Sequence, residues 1–135
     1  MRLYIGVALI LISLAVSSSS VAQDADATRP TQLLKKVVTG MPKSDLQEIH
    51  VLTASFKPGG KTVLHAHRFP VTVYILEGAF TLEMERAAKT VMAGHAMVKP
   101  PNVRMTGYNR SATDPLRLVI FYVSDHDTPS LDPIQ

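Results

Sequence analysis

The stretch from Leu64 to Gly78, LHAHRFPVTVYILEG, carries His65 and His67 two positions apart. Side chains alternate along a β-strand, so in a strand this spacing puts both imidazoles on one face; a helix would splay them. Neutral imidazole is the commonest metal ligand among side chains, and a pair on one face points to a metal. A metal needs further donors, and this run offers no carboxylate at the expected place. Without a metal, the pair would still form a polar site able to hold a small anion or a carbonyl. Its titration would lie near the physiological range.

Other chemistry finds little support. The 135 residues contain no cysteine, hence no thiol nucleophile and no disulfide. There is no useful Ser-His-Asp spacing and no glycine-rich phosphate loop. Glu77, Glu83 and Glu85 fall at a turn or on a polar strand face, poor settings for an acid/base pair. No catalytic residue is assigned, and no organic cofactor is implied. Asp125-His126-Asp127 offers donors for a surface metal, but the segment is expected to be a solvated tail. His50, in an early strand, is expected on the solvent face.

The elements that must position the histidines read as short strands. Glu48 to Phe56 is strand-like and ends in the Lys57-Pro58-Gly59-Gly60 turn. Thr62 to His67 and the β-branched run Val71 to Leu76 follow. Phe80, Leu82 and Met84 alternate with Thr81, Glu83 and Glu85, the mark of a half-buried strand. Ala96 to Lys99 forms a strand stopped by Pro100 and Pro101. Arg104 to Tyr108 and the apolar run Leu116 to Ser124 complete the set. A further short strand is expected within Thr31 to Gly40. Nothing past the leader reads as a helix. About eight strands with turns every 8–12 residues point to an all-β sandwich or barrel.

The chain opens Met-Arg, runs mostly apolar from Leu3 to Val16, and continues through four serines to Val21-Ala22-Gln23. That is the layout of a cleaved signal peptide, residues 1–22. The apolar run is too short for a spanning helix, which needs roughly 20 residues. A periplasmic or secreted protein follows, with no membrane association after cleavage. Residues 23–44 read as a linker with the first strand, 45–124 as the domain and 125–135 as a tail. The net charge of +3 comes from scattered basic residues, which gives no support for nucleic-acid binding.

The glycine, histidine and proline spacings resemble those of a small single-domain cupin, a jelly-roll (double-stranded β-helix) barrel. The first cupin motif runs Gly, five residues, His-x-His, three or four residues, Glu, six residues, Gly. Here it reads Gly59, His65-Ala66-His67, Val71, Gly78, with every interval kept. The second runs Gly, five residues, Pro-x-Gly, two residues, His, three residues, Asn; here it reads Gly94, Pro100-Pro101-Asn102, Met105, Asn109. The resemblance covers roughly residues 45–124.

It implies a metal site in the barrel mouth, held in the family by the two motif-one histidines, the Glu and the motif-two His. The metal is often iron, manganese, zinc, nickel or copper. His65 and His67 match; Val71 stands for the Glu and Met105 for the third His. A two-His site leaves tetrahedral zinc short of ligands, whereas the Met105 thioether suits Cu(I). The alternative for Met105 is core filling. The resemblance also implies that His95 lies in a turn away from the site. Tyr74 should point outward, to a face that serves some cupins as a homodimer interface.

The expected function is an exported cupin that binds a small molecule, a divalent metal or copper. His65, His67 and Met105 would serve as ligands, in a cavity lined by Val71 and Val73. The alternatives are a metal-dependent dioxygenase or isomerase, and an accessory module with a vestigial site that binds no metal.

Overall fold

The computed structural model describes residues 27–135. The signal-peptide expectation for residues 1–22 lies outside the described residues. Nine strands follow in order: β1 (Gln47–Phe56), β2 (His65–Ala66), β3 (Val71–Glu77), β4 (Ala79–Met84), β5 (Ala87–Met92), β6 (Ala96–Lys99), β7 (Met105–Tyr108), β8 (Leu116–Asp125) and β9 (Asp132–Pro133). No helix occurs among the described residues. One sheet has the order β1-β8-β3-β6, the other β5-β4-β7-β2-β9, and every pairing is antiparallel. This is an all-β jelly roll, as the strand count and turns predict.

Alternation builds the core. Val71, Val73 and Ile75 of β3, Leu116, Leu118 and Tyr122 of β8, and Met97 of β6 point inward from the first sheet. Phe80, Leu82, Val91 and Met105 meet them from the second. Gly107 lets β7 pass close to Phe80: a Cβ there would lie 2.6 Å from the ring. Asn109, the last residue of the second motif, is buried and holds loops together. Its amide nitrogen donates to the carbonyls of Phe56, Lys57 and Asp114, and its oxygen accepts from the Ser111 N–H. Asn102, in place of the motif glycine, takes φ 57°, which a short polar side chain tolerates better than most.

Three sequence expectations change. Thr31 to Gly40 forms no strand; it is mostly exposed, irregular chain. β5 went unread because Ala87 to Met92 buries only Val91 and shows no apolar alternation. The segment after Ser124 is not simply solvated. It turns at Asp127 (φ 59°) and returns as β9 along β2, with His65 opposite Pro133 and Ala66 opposite Asp132. The Ile134 N–H donates to the Leu64 carbonyl at 3.0 Å.

Candidate metal centre

The register places the site residues in two cross-strand rows. In the first sheet His50 lies opposite Tyr122, Tyr122 opposite Val71, and Val71 opposite Lys99. In the second, Met84 lies opposite Met105, Met105 opposite His65, and His65 opposite Pro133. Beside the first row lies a small space of about 10 Å³ lined by His67, Val71, Tyr122, Ser124 and Ser130 among others. That volume suits about one water molecule. Val71 and Val73 are both buried, but of the two only Val71 borders this space. A surface depression of about 360 Å³ lies elsewhere, along Glu83, Glu85, Arg104 and Tyr108.

His65 and His67 are buried, and their rings meet edge to face. His65 Nδ1 is 2.7 Å from the Val63 carbonyl, and His67 Nδ1 is 2.8 Å from the Ser130 carbonyl. A carbonyl oxygen only accepts, so each Nδ1 carries the proton and donates. Both Nε2 atoms are then left with lone pairs, and they face each other at 3.1 Å. Two lone pairs at that distance require a positive species between them or a proton on one ring. Protonation is disfavoured. Burial, helped by Lys99, pushes the His67 pKa down to about 4, and burial lowers that of His65. Histidine metal ligands typically donate their other N–H to a carbonyl or carboxylate, which fixes the tautomer; both rings here are fixed in that way. Nitrogens 3.1 Å apart also fit two donors each about 2.0–2.1 Å from one ion.

Met105 is fully buried on the same face as His65. The register sets Met105 directly across from His65, whose ring meets that of His67. No carboxylate joins these residues: Asp132, on β9, is engaged by both Nε and Nη2 of Arg68.

Lys99 escaped the sequence reading. A lysine before two prolines reads as a solvated strand end, yet it shares the inward parity of Met97 and is only 6% exposed. Burial pushes its pKa down to about 8, so it remains charged at neutral pH. His50 also departs from expectation. It is half-buried, stacked on Tyr122 at 4.3 Å, and bonded to Ser124 Oγ at 3.2 Å. His126 is exposed and donates from Nδ1 to Glu48 at 2.8 Å, and Asp127 lies beside it. His95 is exposed, as expected.

Among known proteins, the sequence profile of the cupin domain matches residues 52–122. The chain belongs to the cupin family. Solved structures agree at the level of fold. A cupin of the RmlC-like type from Shewanella frigidimarina is 22% identical, with 59% of this chain and 69% of that one covered at a TM-score of 0.51. A cupin-like protein from Thermotoga maritima is 17% identical, covering 64% of each chain at 0.56. The polyketide cyclase RemF from Streptomyces resistomycificus is 14% identical, covering 81% of this chain and 87% of its own at 0.55. No curated protein matches this cupin significantly.

Proposed function

We propose that this cupin is an exported protein that binds a soft metal ion, Cu(I) before others, through His65 Nε2, His67 Nε2 and the Met105 thioether. The observation that carries the reading is the pair of converging lone pairs, each ring held by a carbonyl at its other nitrogen. The donor set is neutral and includes sulfur, which suits Cu(I) and not a hard octahedral cation. Val71 supplies no charge where the family places a carboxylate. Lys99 sharpens the choice: Coulomb repulsion scales with charge, so a monocation beside it suffers half the repulsion of a dication. Bound copper would supply redox or Lewis-acid chemistry. The chain's own residues fix the ring orientation. Export rests on the leader pattern of residues 1–22.

Elemental analysis of the full chain, as purified and after reconstitution with copper, zinc, iron and manganese, tests this. One copper per chain is expected, lost in His65→Ala and in His67→Ala. Uptake of none of these metals would overturn the reading.

A further inference from the structure

The Asp125-His126-Asp127 run has no part in the copper reading, yet the fold completes it. Asp125 is engaged elsewhere: its Oδ1 accepts the Ser44 N–H at 3.1 Å. β1 supplies another acid in its place. Glu48 lies opposite Ser124 in the β1–β8 register, which carries its carboxylate to the turn where β8 ends. His126 Nδ1 is 2.8 Å from Glu48 Oε1, and His126 Nε2 is 3.2 Å from Asp127 Oδ2. One donor atom from each of the three residues lies within 4.8 Å of the other two. His50, on the same face of β1, brings its Nε2 to 3.2 Å from the second Glu48 oxygen. Its ring is stacked on Tyr122 with an interplanar angle of 5°.

This is a mixed ligand set and not a patch of like charge. An imidazole stands between two carboxylates, and a second imidazole fixes one of them from behind. Such outer contacts orient ligating carboxylates in metal sites. Two carboxylates match the charge of a dication. Imidazole and carboxylate donors without sulfur suit first-row divalent ions and disfavour Cu(I). Ligands about 2.0–2.2 Å from one ion stand at most about 4.4 Å apart, so the three donors need only a small closing movement. Asp127 is free to make it, because its side chain is 85% exposed. The same exposure leaves room for water to complete the coordination.

We propose that Glu48, His126 and Asp127 form a second metal site, for a divalent first-row cation, apart from the interior histidines. The two sites share no residue and differ in kind: the interior set is neutral and soft, the surface set anionic and oxygen-rich. The inference therefore does not rest on the copper reading. An ion here joins β1 to the turn that starts the returning C-terminal segment. That turn lies three residues before Ser130, whose carbonyl receives the His67 Nδ1 proton. Imidazole binds a metal only when deprotonated, so uptake weakens as pH falls.

Mn(II) separates the two sites, since it favours carboxylate and water ligands and matches the interior set poorly. The test titrates Mn(II) into the full chain and follows the electron paramagnetic resonance signal of the free ion. One Mn(II) per chain is expected, with the same affinity in His65→Ala. Glu48→Gln and His126→Ala should each weaken it at least about tenfold. Asp125→Asn removes the same charge from the same turn without touching a ligand, and should weaken it less than about threefold. No binding by the parent at about 1 mM Mn(II), loss of binding in His65→Ala, full affinity in Glu48→Gln or His126→Ala, or equal losses in Asp125→Asn and Glu48→Gln would each overturn the proposal. Each of those results leaves the copper reading standing, because copper uptake is judged by its loss in His65→Ala and should persist in His126→Ala.

Discussion

At the scale of single residues, the site is defined as much by what is missing as by what is present. His65 and His67 were legible because a two-residue interval survives as a shared face in any strand. Their carbonyl partners were not: Val63 is local, but Ser130 lies 63 positions along the chain from His67. Lys99 was missed because lysine is almost never fully buried, although its parity with Met97 was in the sequence. Val71 is the residue to change. Val71→Glu sets a carboxylate opposite Lys99 and beside the space at His67. Combined with Met105→His, it restores the three-His, one-carboxylate set. Zinc affinity, measured by competition with a chromophoric chelator, should rise at least about tenfold over the parent. Unchanged affinity would mean that these two positions do not converge with the histidines.

At the scale of elements, the returning C-terminal segment decides access. It supplies the acceptor for His67, the β9 pairing along β2 and the two-bond Arg68–Asp132 contact. Yet none of its residues from Asp125 to Gln135 is buried. Each of its hydrogen bonds contributes only about 0.5–1.5 kcal/mol net, so the segment belongs to the low-stability, locally opening part of the fold. Deleting residues 128–135 should speed copper uptake at least about tenfold in stopped-flow measurements while the two sheets stay folded; an unchanged rate would mean that the site is reached elsewhere. No sequence signal marks this element, since two residues including a proline cannot announce a strand and the pairing comes from the exposed edge of β2. The turns, by contrast, were readable from glycine. Gly78 has φ +79°, and a Cβ there would lie 2.4 Å from the Pro115 carbonyl oxygen; Gly94 has φ +83° with open space around it. Gly78→Ala should therefore cost well over about 2 kcal/mol, and Gly94→Ala only about 1, in urea denaturation. Equal costs would place the penalty in backbone conformation and not in the close approach of β3–β4 to β8.

For the whole molecule, alternation and glycine-proline turns made the jelly roll legible, because a two-sheet barrel is built from the period that a half-buried strand imposes on its sequence. The segment 31–40 misled for the converse reason: apolar residues such as Leu33, Leu34 and Val37 occur there, but they remain exposed and find no partner strand. The same interior that makes the fold legible also sets its response to pH. His67 titrates near 4 in the folded chain against 6.5 unfolded, and His65 is shifted the same way. Below pH 6.5 the unfolded chain thus binds more protons than the native one. Stability from these rings is complete above pH 6.5 and falls as pH drops toward 4. The half-buried carboxylates Glu48 and Asp132, with pKa values lowered by His126 and by Arg68, add to the loss at still lower pH. Lys99 titrates near 8 folded against 10.5 unfolded, so the unfolded chain again holds more protons between those values, and stability climbs with pH across that window. Tyr122, raised by burial, opposes the climb above about pH 10. The expected profile for the metal-free protein is a rise from pH 4 to 6.5, a plateau to about 8, and a second rise beyond it. Each slope is at most about 1.4 kcal/mol per pH unit for each group titrating. Lys99→Met should lift the plateau and abolish the second rise while leaving the first. Thermal melts across this range, with a chelator present throughout, check it: a second rise that persists in Lys99→Met would show that a group other than Lys99 produces it.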